Sequence, residues 1–363
     1  MKNAARHVAK TIAVLLVLYF AAMLAVSAVG DLVTVAKLTL RDGDKRKRHE
    51  LVVFEDKELA RQIFKDSKQT VENYAPFVGW RRQALRSETV NIAADGRRLH
   101  KVGGDNVPGS ERLGFFGGSG IWGSGAEDDG TVPAIFDQLT DNYDIENYGE
   151  GGWTSRQSLA QLVNLMSAGR TLDVAVFYNG PNDATLGCDT RFADDLIVHK
   201  RTPLYRHLIL ADQSRSYLYR NFVVPTLDTY QRVTGLRNAE REYVCDRDPA
   251  QAAKIAATLF NNWKIARTLM TSGGGRFYAF LRPVPGVGSP MLDHLSLDPR
   301  LIAQYEPVYD AIKKLIREEG AGWAFDLSDS FDGPPPVYMD AGHVTRVGNA
   351  IIARRMHEFL QRH

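Results

Sequence analysis

Short apolar runs recur along the chain after residue 112, and segments with helical periodicity lie between them. The clearest run is DVAVFY at residues 173–178, whose nearly continuous apolar character is typical of a parallel strand covered on both faces. Strands that alternate with helices predict an α/β fold with a parallel central sheet and helices on both sides. The predicted strands are residues 113–116, 143–148, 173–178, 277–281 and 323–327.

Capping residues indicate where the intervening helices begin. A Ser, Thr or Asp before an apolar-periodic segment is typical of a helix N-terminus, and proline is tolerated in the first turn. Pro307 lies inside a helical pattern, so we expect it to kink a helix over residues 301–316. The expected N-caps are Thr131, Thr154 or Ser155, Asp248 and Asp298, and a final helix carries Ile352, Met356, Phe359 and Leu360 on its inner face.

The N-terminus has a different pattern. Residues 11–30 carry no charge and follow Lys2, Arg6 and Lys10, so this stretch is long enough to cross a bilayer as a helix. Val26-Ser27-Ala28 also resembles a signal-peptidase site, which leaves a cleaved signal peptide open. We favour an uncleaved single-pass anchor, with secretion after cleavage as the alternative.

The folded part is expected outside the cytoplasm, in the periplasm. The basic run at residues 45–48 competes with the N-terminal positive charges, but long soluble domains are usually translocated regardless of such charges. Cys188 and Cys245 fit an oxidising compartment if they form a disulfide, while two free buried thiols remain an alternative.

The changes of pattern divide the chain into three parts. Residues 1–30 are the anchor or signal peptide, and residues 31–111 form a stalk and N-terminal extension with a charged helix near 56–72 and a short strand at 90–92. Residues 112–363 form the main domain, with an insertion at 185–247 where the alternation of strands and helices is interrupted.

The composition argues against a nucleic-acid-binding function. The 363 residues are 44% hydrophobic and 24% charged, with a net charge of +2, as in an ordinary globular protein. Nothing in this balance indicates a nucleic-acid partner.

The glycine-rich stretch LGFFGGSGIWGSGAEDDGTVP at residues 113–133 carries the first candidate chemistry. Its glycines bracket one hydroxyl side chain, Ser119, in a turn after a strand, which predicts an exposed serine at the sheet edge. Gly118, Gly120 and Gly123 also match the G-x-G-x-x-G spacing of a dinucleotide site, but three carboxylates before the next helix would repel a pyrophosphate. A turn without chemistry is the third interpretation.

Asp340 and His343 lie three residues apart in a predicted loop before the last helix. At this spacing the carboxylate can reach the imidazole, fix its tautomer and stabilise its protonated form. A serine nucleophile needs such a base, and the other histidines lack an aspartate in a comparable loop.

Four separated segments resemble, in order, the four blocks of the SGNH hydrolase superfamily, the GDSL-type esterases and lipases. They are Gly117-Gly118-Ser119, Gly152 in GGWTS, Gly180-Pro181-Asn182-Asp183 and Asp340-Ala341-Gly342-His343. The similarity spans about residues 112–360 and implies a three-layer α/β/α flavodoxin-like domain. It also implies Ser119 as nucleophile, His343 as base, Asp340 as its orienting partner, and the Ser119 amide, the Gly152 amide and the Asn182 side chain as oxyanion donors. Where the signature has an aspartate before the serine, this chain has Gly118.

The resemblance implies a serine-dependent carboxylic ester hydrolase, with no metal or cofactor. Similarity to membrane-anchored bacterial relatives associated with cell-surface polysaccharides leads us to expect an acylated substrate such as an O-acetylated glycan. An O-acyltransferase with the same triad is the first alternative, in which a sugar hydroxyl replaces water. A catalytically silent glycan-binding scaffold is the second alternative.

Overall fold

The computed structural model describes residues 2–45, 48–100, 109–192, 242–320 and 322–362. They fall into two compact units, one ending at residue 48 and one containing the described residues from 49 onward, and each is described by itself. The helices are α1 (Lys2–Lys45), α2 (Lys57–Ser67), α3 (Ser119–Trp122), α4 (Val132–Asp137), α5 (Ser155–Ser167), α6 (Pro181–Gly187), α7 (Pro249–Ser272), α8 (Pro299–Ile302), α9 (Tyr305–Glu319) and α10 (Arg346–Arg362). The strands are β1 (Glu72–Ala75), β2 (Gly79–Arg82), β3 (Glu111–Gly117), β4 (Tyr143–Asn147), β5 (Val174–Asn179), β6 (Arg276–Leu281) and β7 (Ala324–Asp326).

Helix α1 is the main element of the first unit. Its stretch Arg6–Ala25 has a mean hydropathy of 2.2 and is, within the described chain, the one helical segment long and apolar enough to cross a membrane. A signal sequence has the same length and composition, so both expectations for the N-terminus stay predictions. The helix continues past residue 30 to Lys45, and residues 31–45 contain no proline that would interrupt it.

Strands β3 to β7 form a five-stranded parallel sheet in the order β4-β3-β5-β6-β7. Counted within the sheet, this is the order 2-1-3-4-5 of flavodoxin-like folds. The predicted parallel sheet is therefore confirmed. The register pairs Gly117 with Tyr178 and Asn179 with Leu281, so the loops that leave these strands meet at one edge.

The sheet has a hydrophobic core on each face. Successive strand residues alternate between the two cores, so Phe115 packs on one face and Phe116 on the other. One core contains buried residues of α5, α7 and α9, and the other contains buried residues of α4 and α10. This arrangement confirms the three-layer α/β/α architecture.

Strands β1 and β2 form an antiparallel hairpin that packs against the main sheet's loops. Val78 and Trp80 form a small core with Trp153, and the Trp80 Nε1 donates a 3.1 Å hydrogen bond to the Gly151 carbonyl. The strand expected at residues 90–92 is absent, and Ile92 makes only isolated bridges. The Asn91 backbone and side chain instead bind Asp128, which prevents a continuous ladder.

The expected kink at Pro307 was wrong. Helix α9 begins at Tyr305, so Pro307 lies in its first turn, and α8 is a separate short helix. First-turn N–H groups have no intrahelical acceptor, so proline costs no helical hydrogen bond there.

The two cysteines lie just inside the ends of the expected insertion at 185–247, of which residues 193–241 lie outside the described part. Cys188 and Cys245 have their Sγ atoms 2.06 Å apart, at bonding distance. The backbone supports this approach, since the Val244 amide donates to the Cys188 carbonyl at 3.0 Å.

Candidate active site

Ser119, His343 and Asp340 form a hydrogen-bonded series at the carboxyl edge of the sheet. The Ser119 Oγ lies 2.8 Å from the His343 Nε2, although the two residues are 224 positions apart in the chain. The His343 Nδ1 lies 2.8 Å and 3.0 Å from the two Asp340 carboxylate oxygens. Ser119 lies two residues after the end of β3, and the other two residues lie in the loop before α10.

The direction of these hydrogen bonds follows from their chemistry. An ionised carboxylate only accepts, so the hydrogen of neutral His343 belongs on Nδ1 and points at Asp340. The Nε2 is then the acceptor for the Ser119 hydroxyl. Asp340 is itself held by the Gly342 amide, which donates to Oδ1 at 2.8 Å. The arrangement therefore presents a hydroxyl to a base that is already oriented.

The environment of Ser119 differs from the expectation. We predicted an exposed serine in an open turn, but Ser119 is only 9% exposed and is the first residue of the short helix α3. The imidazole of His343 covers its hydroxyl side. Gly123 ends α3 and does not open a helix, so the structure lacks the glycine-to-helix junction that the dinucleotide interpretation requires.

Gly118 stands where the SGNH signature has an aspartate, and the structure gives a steric reason. A Cβ at this position would lie 2.5 Å from the Asn182 Nδ2 and 3.0 Å from the Trp153 carbonyl oxygen. Any side chain would displace the Asn182 carboxamide. Glycine at position 118 thus lets Asn182, in the third block, approach the serine turn closely.

The three expected oxyanion donors are the amides of Ser119 and Gly152 and the Asn182 side chain, and the Asn182 Nδ2 and the Trp153 carbonyl lie next to Gly118 in the serine turn. Within the described part of the chain, neither the Ser119 amide nor the Gly152 amide donates to another group. The Asn182 Nδ2 donates one hydrogen to the Trp153 carbonyl at 2.7 Å, and a carboxamide nitrogen carries a second hydrogen. Because Trp153 follows Gly152, this bond couples two of the three donors.

Asp183 and Ser155 form a supporting network that the sequence analysis missed. Asp183 accepts from the Ser155 amide at 3.0 Å and from the Ser155 hydroxyl at 2.5 Å, while Asn262 donates to that hydroxyl at 2.9 Å. Burial raises the pKa of Asp183 to about 6, although the hydrogen bonds from Ser155 act in the opposite direction. The network joins the start of α5 to the start of α6. The available signal was the acidic residue directly after Asn182.

Asn179 has a different environment from Asn182. Asn179 is the last residue of β5 and is 3% exposed. Its Nδ2 donates to the Ser158 hydroxyl at 3.1 Å, and its Oδ1 accepts from the Trp263 Nε1 at 3.3 Å. Asn179 therefore links β5 to α5 and α7.

No protein-family model matches the chain, and no curated protein matches it. Solved structures resemble it at 13% identity. One is a member of the lipolytic G-D-S-L family from Veillonella parvula, which covers 69% of this chain and 99% of its own at a TM-score of 0.39. Another is a carbohydrate acetylesterase from Sinorhizobium meliloti, where the match covers 70% of this chain and 99% of that chain at a TM-score of 0.36. A third is a catalytic mutant of an acetylxylan esterase from Geobacillus stearothermophilus, where the match covers 70% of this chain and 96% of that chain at a TM-score of 0.37.

Proposed function

We propose that this chain is a serine-dependent carboxylic ester hydrolase of the SGNH type. One observation carries the proposal: Ser119 Oγ, His343 Nε2 and the Asp340 carboxylate are connected by two 2.8 Å contacts. A hydroxyl, an imidazole and a carboxylate at these distances are what nucleophilic acyl transfer requires.

In the first half-reaction, the Ser119 oxygen attacks the ester carbonyl carbon while its proton passes to the His343 Nε2. Asp340 stays ionised and stabilises the imidazolium that forms. Negative charge develops on the carbonyl oxygen, where the Ser119 and Gly152 amides and the second N–H of Asn182 are the proposed donors. Collapse of the intermediate breaks the bond to the leaving alcohol, which takes the proton from Nε2.

In the second half-reaction, water replaces the alcohol. His343 takes a proton from water, the hydroxide attacks the acyl carbon, and the Ser119 oxygen leaves with the proton from Nε2. The products are a carboxylic acid and free enzyme. A sugar hydroxyl in place of water would transfer the acyl group, so the same groups support an acyltransferase.

The finer proposal concerns substrate and place. We propose that the substrate is an O-acylated glycan, such as an O-acetylated cell-surface or exported polysaccharide, and that the domain acts outside the cytoplasm. The apolar stretch Arg6–Ala25 supports export, and a Cys188–Cys245 pair is typical of proteins in oxidising compartments.

The proposal is tested by incubating the full-length protein with p-nitrophenyl acetate, with and without added oligosaccharides. We expect free acetate to be released at a rate that depends on Ser119. Acetate appearing on the oligosaccharide instead would assign the acyltransferase activity. Release at the same rate by wild-type and Ser119→Ala protein would contradict both activities.

A further inference from the structure

Arg282 is a buried arginine directly after β6, next to the candidate active site. It is 5% exposed. Its Nη2 donates to the carbonyl of Gly342, the residue that precedes His343. Arg282 thus contacts the histidine loop from the neighbouring strand end.

The same guanidinium also fills the space beside the nucleophile turn. A Cβ on Gly120 would lie 2.7 Å from the Arg282 Cζ, 2.8 Å from its Nε and 2.9 Å from its Nη1. Gly120 follows Ser119, so the guanidinium packs against the backbone of the serine turn. Only glycine at position 120 leaves room for it.

The backbone of Arg282 reaches the third loop of the site. Its amide donates to the Asn179 carbonyl at 2.9 Å, and its carbonyl accepts from the Tyr309 hydroxyl at 2.7 Å. Asn179 ends β5, three residues before Asn182. One residue therefore contacts the serine turn, the histidine loop and the end of the strand that leads to the proposed oxyanion donor.

Within the described chain, Arg282 forms no ion pair with a carboxylate at 4.0 Å or less. The guanidinium carbon lies 5.8 Å from the centre of the Tyr178 ring, and burial raises the pKa of that phenol, so Tyr178 stays neutral. Burying a cation without a counter-charge is costly, and a well-packed apolar side chain would often stabilise the fold better. A buried cation that costs stability in this way is expected where function requires it.

We propose that Arg282 is a positioning residue that holds the Ser119 turn against the His343 loop and so sets the distance between Oγ and Nε2. This inference rests on the proposed function for its kinetic test. The planar guanidinium of Arg282 can donate to the Gly342 carbonyl while it packs on Gly120. A lysine ammonium, which is a point charge on a flexible stem, does not reproduce both contacts.

The test compares Arg282→Met and Arg282→Lys with Arg276→Met in the full-length protein. Arg276 is the first residue of the same strand, and its exposed side chain pairs with Glu111, so it is a matched control. We expect Arg282→Met to lower kcat about 100-fold with KM nearly unchanged, as small misplacements of reacting groups do. Arg282→Lys should recover part of the loss, and Arg276→Met should leave kcat unchanged.

A double-mutant cycle separates positioning from general destabilisation. Gly120→Ala places a methyl group where the guanidinium lies, so it should lower kcat even though Arg282 is retained. If both variants act through one contact, the combination of Gly120→Ala and Arg282→Met should lose no more activity than Arg282→Met alone. Fully additive losses, or a folded Arg282→Met protein with wild-type kcat, would overturn the inference.

A spectroscopic readout is independent of ester turnover. The Nδ1 proton of His343, held by Asp340, should give a low-field proton resonance that is lost in His343→Gln. We expect Arg282→Met to shift or remove this resonance and Arg276→Met to leave it in place. An unchanged resonance in Arg282→Met contradicts the inference about Arg282, even if the proposed ester substrates are wrong. Ester turnover that does not depend on Ser119 contradicts the proposed function alone.

Discussion

At the scale of single residues, the two asparagines after the third sheet strand have separable roles. Asn179 is buried and bonded through both ends of its carboxamide, to Ser158 and to Trp263. Asn182 is half-buried and uses one N–H on the Trp153 carbonyl. Asn179 therefore serves the fold, while the second N–H of Asn182 is available to a developing oxyanion.

We predict that Asn182→Ala lowers kcat by roughly 10² to 10³ with little change in KM, because an oxyanion donor acts in the transition state. Asn179→Ala is the comparison. It should lower the melting temperature by removing two buried hydrogen bonds, and the protein that stays folded should keep its kcat. Steady-state kinetics and thermal unfolding of both variants measure this. Equal losses of kcat in the two, or a change confined to KM in Asn182→Ala, would show that the donor assignment is wrong.

Asp183 makes stability depend on pH. Its pKa is about 6 in the folded protein, against an ordinary value of 3.8, because burial disfavours the charged form. Between these values the folded state binds more protons than the unfolded state. The stability that this group contributes is therefore fully present below about pH 4 and is lost as pH rises through 6.

We predict that Asp183→Asn removes this dependence. The free energy of unfolding of the variant, relative to wild type, should rise between pH 4 and pH 6 by at most about 1.4 kcal/mol per pH unit. Urea unfolding at several pH values measures the difference. A difference that stays constant from pH 4 to pH 6 would contradict the assignment of the raised pKa to Asp183.

At the scale of elements, the β1–β2 hairpin supports the loop that carries Gly152. Trp80 donates to the Gly151 carbonyl, and the Gln157 Nε2 of α5 donates to the Val78 carbonyl at 2.6 Å. Arg82 adds a backbone hydrogen bond of 3.0 Å to the Glu150 carboxylate. The hairpin therefore stabilises the loop that carries Gly152 from outside the sheet.

We predict that Trp80→Phe lowers the free energy of unfolding by about 1 kcal/mol more than Trp153→Phe does. Both tryptophans are fully buried in the same small core, but the Trp153 Nε1 is a buried donor without an acceptor in the described chain. The two changes remove similar ring area, and Trp153→Phe keeps an aromatic face under the Arg81 guanidinium, so their difference reports the hydrogen bond to Gly151. Urea unfolding measures it, and equal effects would show that this bond contributes nothing.

The elements that the sequence predicts correctly are those with strong local signals. The strands β3, β5 and β6 are present where their apolar runs are buried on both faces of the sheet, and Thr131 caps α4 through a 3.3 Å bond from the Ala134 amide. The elements that it misses depend on partners far away in the chain. The segment around Asn91 binds Asp128 instead of forming a strand. Pro307 lies in the first turn of α9, which is a helix separate from α8.

At the scale of the whole molecule, the site is assembled from loops that are distant in sequence. Parallel connections bring the ends of β3, β5 and β6 to one edge, and the chain after β7 returns there with Asp340 and His343. The residue types and their order in the sequence suggest the triad. The sequence does not show that Gly118 makes room for Asn182 or that Arg282 packs on Gly120, because these contacts exist only after the sheet forms.

The most direct test of the account is the turnover of an activated acyl ester by the full-length protein and its Ser119→Ala variant, with a fluorophosphonate label mapped by mass spectrometry. The account predicts that Ser119→Ala folds as the wild type does and loses turnover by several orders of magnitude, as removal of a triad nucleophile does. It also predicts that the label is found on Ser119 in the wild type. A folded Ser119→Ala protein with wild-type turnover, or a label found on another serine, would contradict the assignment of Ser119 as the nucleophile.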